Sequence, residues 1–128
     1  MKLLLDTCTF LWLNADAPEF SKAARELFIS PDNIVYLSAV SSWEIMVKHR
    51  LGKLPLPDTP AEFVRSGRTL HHVETLCLTE AATWRLDKLS NLHRDPFDRI
   101  LVCQALEHKM TLLTPDPLIQ QYSVKTAW

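Results

Sequence analysis

Residues 93–116 read HRDPFDRILVCQALEHKMTLLTPD. Asp95 ahead of Pro96 is a helix start, because the carboxylate can accept an otherwise unpaired backbone N–H and proline suits the first helical position. The apolar spacing that follows predicts a helix over 96–108, and the short run Thr111–Leu113 predicts a strand. Asp116 before Pro117 then repeats the aspartate–proline start. A helix that leads into a strand and out to another helix belongs to an α/β fold. Asp98 is left half explained: a negative charge in the first turn suits the helix dipole, yet a lone surface aspartate would serve that purpose equally well.

The same alternation extends outward in both directions. Apolar runs at 2–5, 34–37, 72–76 and 123–126 predict further strands, and helical patterns cover 7–13, 21–28, 42–51, 61–65 and 81–89. Strands alternating with helices imply an α/β architecture around a mainly parallel sheet. No repeat, low-complexity tract or linker interrupts the pattern, and the proline-dense stretch 54–60 reads as a loop between two helices. The 128 residues, 47% of them hydrophobic, suit one domain spanning 1–128 around one core.

Lys plus Arg number 14 against 15 Asp plus Glu, so no global field draws a polyanion, and nucleic-acid contact would need a local basic patch. Cys8, Cys77 and Cys103 lack the paired spacing of a zinc site or a small disulfide framework and read as buried reduced thiols of a cytoplasmic protein. No run is long enough for a membrane span, and the apolar start resembles a signal peptide only until Asp6 interrupts it. Two glycines, Gly52 and Gly67, both read as helix stops, which excludes a glycine-rich phosphate loop.

Open parallel sheets place their ligand sites beyond the carboxyl ends of the strands, and acids gather there. Asp6 ends the first strand and Asp116 follows the fourth; Glu44 lies one turn into the helix after the second strand, and Asp98 opens the helix before the fourth. Simpler roles exist. Glu44 completes a Ser41-x-x-Glu44 capping box and can pair with Lys48, while Asp116 caps a helix. Asp6 is harder to dismiss, because an ionised group continuing a buried strand is costly unless something neutralises it. If the four converge, repulsion forces protons onto some of them or requires a cation. Oxygen ligands with no imidazole or thiolate cluster nearby suit Mg²⁺ or Mn²⁺, which can activate a water and stabilise charge developing on phosphate oxygens. The constellation reads as a metal-dependent phosphodiester hydrolase.

Arg94 and Arg99 flank the Asp95/Asp98 pair, where a cation would hold a phosphate that the carboxylates repel. Lys48 belongs to a basic cluster with His49, Arg50 and Lys53; for the last two a solvated helix face is as good an account. His71 and His72, adjacent on a strand, would face opposite sides, and His93 reads as loop surface.

Four segments taken together, LLLDTCTFLW (3–12), LSAVSSWEIMVKHRLGKL (37–54), HRDPFDRILVCQA (93–105) and LLTPDPLIQQY (112–122), resemble the PIN-domain ribonucleases of bacterial toxin–antitoxin modules, the VapC-like toxins. The resemblance implies an α/β/α sandwich and a Mg²⁺- or Mn²⁺-dependent endoribonuclease that acts on RNA, forms a homodimer and is blocked by a cognate antitoxin. By motif, the four acids fall on Asp6, Glu44, Asp98 and Asp116, with Asp6 and Asp98 holding the ion. Asp98 is taken rather than Asp95 because it directly precedes the apolar helix, while Asp95 has a sufficient role as cap. Thr7 and Thr114 match the hydroxyl residues that accompany the first and fourth acids on the substrate side. The competing reading is a PIN-fold module that grips RNA or a partner protein without cutting.

Overall fold

The computed structural model describes residues 1–128. Five strands, all parallel, form one sheet in the order β3-β2-β1-β4-β5: β1 (Lys2–Leu5), β2 (Ile34–Ser38), β3 (Glu74–Leu76), β4 (Thr111–Leu113) and β5 (Thr126–Ala127). Successive strand side chains point to opposite faces, and the leucines of β1 divide accordingly. Leu3 and Leu5 enter a core with Phe10 and Leu13 of α1 (Thr7–Ala15), Ala24 of α2 (Lys22–Ile29), Ile45 of α3 (Ala39–Arg50) and Val64 of α4 (Pro60–His71). Leu4 enters a second core with Leu101, Val102 and Ala105 of α6 (Pro96–His108) and Ile119 of α7 (Pro117–Gln120). The result is the expected α/β/α sandwich, with α5 (Glu80–Trp84) and a 3₁₀ turn (Arg85–Lys88) packed on α6.

The chain starts at the middle of the sheet, adds β2 and β3 on one side, then returns to lay β4 and β5 on the other. Leu5 pairs with Leu37 on one edge and with Leu113 on the other. The winding therefore reverses at β1/β4, and the carboxyl ends of these two strands open side by side, the position that favours a ligand site.

Several local expectations are corrected. Helix α3 starts at Ala39, because Ser38 Oγ accepts the Val40 N–H at 3.0 Å; Ser41 is inside the helix, so the Ser41–Glu44 capping box does not form. His71 and His72 are not on a strand: α4 runs on to His71, His72 caps it in the left-handed region at φ 55°, and β3 begins at Glu74. The pattern at 81–89 resolves into α5 and the 3₁₀ turn, and β5 is only two residues long. Cys8 and Cys77 are exposed and Cys103 is buried. No helix is long and apolar enough to cross a membrane.

Of the two glycines, Gly52 behaves as a helix stop, at φ 74° just after α3. Gly67 does not. It lies inside α4, where a Cβ would sit 2.7 Å from Phe10 Cζ and 2.6 Å from Asn14 Oδ1, and Asn14 is itself held by its Nδ2 bond to the Phe10 carbonyl. Its missing side chain lets α4 approach α1. In an open helix Gly→Ala stabilises by roughly 0.5–1 kcal/mol; here Gly67→Ala is expected to destabilise by about 1–3 kcal/mol through overpacking, read from urea unfolding midpoints.

Candidate active site

Asp6 continues β1 into α1 and is 5% exposed. One carboxylate oxygen caps α1 by accepting the Thr9 N–H at 2.7 Å, and the other accepts the hydroxyl of Thr114, just past β4. Thr114 Oγ1 in turn accepts the Asp116 N–H at 3.1 Å. Burial raises the Asp6 pKa, against the lowering effect of the Thr114 and Thr9 hydrogen bonds.

Glu44, 3% exposed, reaches the same place from α3. Its Oε1 is 2.6 Å from Thr7 Oγ1, which is also 2.9 Å from Ser41 Oγ, and its Oε2 is paired with Lys48 one turn along the helix. Asp95 caps α6 as expected, accepting the N–H groups of Phe97 at 2.8 Å and Asp98 at 3.3 Å. Asp98 points from the first turn of α6 to His93, whose Nε2 lies 2.9 Å from Asp98 Oδ2 and 3.7 Å from Asp116 Oδ2. Asp116 caps α7 through the Leu118 N–H at 2.9 Å. Asp6, Glu44, Asp98 and Asp116 thus line one open cleft of about 380 Å³, together with Asp95 and Lys48.

The electrostatics show how crowded the cleft is. Burial, then Asp95, Glu44 and Asp6, push the Asp98 carboxyl up to about 7, with His93 opposing them. A carboxyl raised first by burial and then by three neighbouring carboxylates sits where a positive charge would be favoured. Oxygens of Asp98 and Asp116 and His93 Nε2 all lie within 4.8 Å of one another. The two carboxylates of this group are hard oxygen donors that fit a divalent cation.

Some expected site residues are placed otherwise. Arg94 is exposed and does not line the cleft. Arg99 Nη1 donates to the Ser90 carbonyl at 2.9 Å and the Tyr122 hydroxyl at 3.2 Å, so it braces the loop before α6. Thr7 and Thr114 are buried and direct their hydroxyls to the acids rather than to solvent. His93, read as loop surface, is instead largely buried behind two of the cleft's acids, Asp98 and Asp116; its place on a loop gives no periodicity from which to aim it.

A family model for the PIN domain matches residues 3–125. The chain belongs to the PIN domain family. Ribonuclease VapC16 of Mycobacterium tuberculosis is 53% identical over 32 residues, a match that spans 25% of this chain and only 23% of that protein. Among solved structures, VapBC2 from Rickettsia felis bound to a DNA fragment from their promoter superposes with TM-score 0.74 at 12% identity, covering 99% of this chain and 98% of that one. VapBC-5 from Mycobacterium tuberculosis, a member of the VapBC family of toxin–antitoxin systems, superposes with TM-score 0.55 at 19% identity over 90% of this chain and 85% of that one. At these identities the structural likeness concerns the PIN fold.

The crowding has a measurable sign. With Asp98 at about 7 in the folded PIN domain and near 4 when unfolded, the folded state binds more protons at this group between the two values, so its contribution to stability falls as pH rises from about 4 to about 7. In EDTA, Asp98→Asn should lose that slope and above pH 7 should melt higher than wild type, by about 4 °C for each kcal/mol relieved. Added Mn²⁺ should stabilise wild type much more than the variant. Melts from pH 5 to 8, with EDTA and with Mn²⁺, check both.

Proposed function

We propose that this PIN domain, residues 1–128 acting as one domain, is a cytoplasmic endoribonuclease dependent on Mg²⁺ or Mn²⁺. It is the toxin of a toxin–antitoxin pair, acting as a homodimer until a cognate antitoxin blocks it. The observation that carries this reading is the convergence of four carboxylates from four separate elements on one cleft where the sheet reverses. The short match to a protein called a ribonuclease and the likeness to a VapBC toxin–antitoxin structure support it.

Asp6 and Asp98 would hold the ion. When bound, the ion supplies an acidified water and offsets charge developing on phosphate oxygens. Glu44 and Asp116 complete the acidic pocket, where their carboxylate oxygens can orient a water by accepting its protons. The Lys48 ammonium, tethered to Glu44 at the wall of the cleft, is the cation placed to meet an incoming phosphate. Thr7 and Thr114 hold Glu44 and Asp6 in place by donating to them. Arg94, exposed beside the cleft's α6 rim, suits the RNA backbone.

Cleavage of a panel of RNAs, with and without EDTA, tests the proposal. Asp6→Asn and Asp98→Asn should each abolish metal-dependent cleavage, whereas Asp95→Asn should keep most of it, since asparagine also caps helices. RNA binding without any EDTA-sensitive cleavage would favour a non-catalytic PIN module. In binding measured across a salt series, Arg94→Gln should lower the log–log slope by about 1, and Arg99→Gln should leave it unchanged.

A further inference from the structure

His93 faces the acids and has no part in the chemistry proposed above. Its side chain is 12% exposed, and the residue is held by one backbone and two ring contacts. The backbone N–H donates to the Tyr122 hydroxyl at 2.9 Å; that same oxygen accepts Arg99 Nη1, which also ties down the Ser90 carbonyl. Ring Nδ1 faces the Asp95 N–H at 3.4 Å. With Nδ1 accepting, the ring N–H is the one on Nε2, the atom 2.9 Å from Asp98 Oδ2 and 3.7 Å from Asp116 Oδ2.

We infer that His93 is a positioning residue: its Nε2–H donates to Asp98 and holds that carboxylate beside Asp116, while Tyr122 and Arg99 hold the loop that carries His93. The inference rests on the divalent-cation reading of the cleft and deepens it. A free carboxylate in the first turn of a helix can rotate, and each rotation moves the oxygen a cation would need; an N–H fixed on one oxygen removes that freedom and leaves the other oxygen open. The opposite role, His93 as a nitrogen ligand, would need the Nε2 lone pair and therefore a proton on Nδ1, directed at the Asp95 N–H. The hydrogen-bond pattern favours the donor. Arg99 acquires a purpose in the same step, as support for Tyr122 rather than as a contact for phosphate.

Mn²⁺ titrations followed by electron paramagnetic resonance test this on the whole protein. Partners that orient metal-binding side chains are worth roughly 10–100-fold in affinity, so His93→Ala should weaken Mn²⁺ binding by about that much. Its melting temperature in EDTA should hardly change. His93→Gln, whose amide N–H can reach Asp98, should restore most of the affinity, and Tyr122→Phe should weaken binding in the same direction. Pulsed spectra of the Mn²⁺-bound wild type should show no histidine nitrogen coupled to the ion. A coupled nitrogen that disappears in His93→Gln would make His93 a ligand and overturn the inference. So would a His93→Ala protein that binds Mn²⁺ as tightly as wild type, or more tightly, while Asp98→Asn does not. Should His93→Ala fail to fold, the wild-type pulsed spectrum and the His93→Gln titration still decide. Mn²⁺ that does not bind wild type, or binds Asp6→Asn and Asp98→Asn equally well, would remove the cation reading and this inference with it.

Discussion

The parallel pairing of β1 with β4, Leu5 opposite Leu113, is the contact on which the cleft depends. Asp6 and Thr114 are 108 residues apart in sequence, and only this pairing brings the carboxylate of one to the hydroxyl of the other. What drives it is apolar. Leu3, Leu4, Leu5, Leu112 and Leu113 are fully buried, each contributing on the order of 1.5–3 kcal/mol. That burial offsets the cost of carrying the Asp6 charge to the end of a buried strand, a cost that the Thr9 and Thr114 hydrogen bonds reduce further.

Capping and chemistry, which look like rival explanations for these acids, turn out to be compatible. In a parallel sheet covered by helices, the carboxyl ends of strands and the amino ends of the connecting helices meet on the same side. Asp6 caps α1, Asp95 caps α6 and Asp116 caps α7, and all three line the cleft. The capping hydrogen bonds use a single oxygen of each, Oδ1; the second oxygen of Asp6 accepts the Thr114 hydroxyl, and those of Asp95 and Asp116 take no part in capping. The positive ends of the helix dipoles also face the crowded charges and moderate their repulsion. Lys48 on Glu44 and His93 beside Asp98 and Asp116 act in the same sense.

This arrangement explains which parts were legible in the sequence. The strands β1, β2 and β4 announce themselves as apolar runs, and α6 and α7 as aspartate–proline starts, because both signals are local. The four acids were legible for the same reason: each adjoins such a signal. The start of α3 was not, since Ser38, Ser41 and Ser42 are all acceptable caps and only the end of β2 selects Ser38. Gly67 read as a stop because its close neighbours, Phe10 and Asn14, belong to a distant helix. His93 and Arg99 carry no such local signal, since Tyr122, 29 and 23 residues away, holds the backbone of one and the guanidinium of the other. Where a side chain's direction is set by a tertiary partner, composition and spacing carry no trace of it.

The two aspartates of the HRDPFDR segment show how one short stretch divides its labour. Asp95 gives one oxygen to two backbone N–H groups and is accounted for by the helix it starts. Asp98 accepts no such bond; its partner is His93. After burial, Asp95 is the largest influence that drives the Asp98 carboxyl upward. The cap thus does more than begin a helix, because its fixed charge sharpens the demand for positive charge at the neighbouring carboxylate. A residue can add to the pull of a cation site without touching the cation, and the spacing of three residues makes this possible: it is one turn of helix, the shortest distance at which two first-turn side chains share a face.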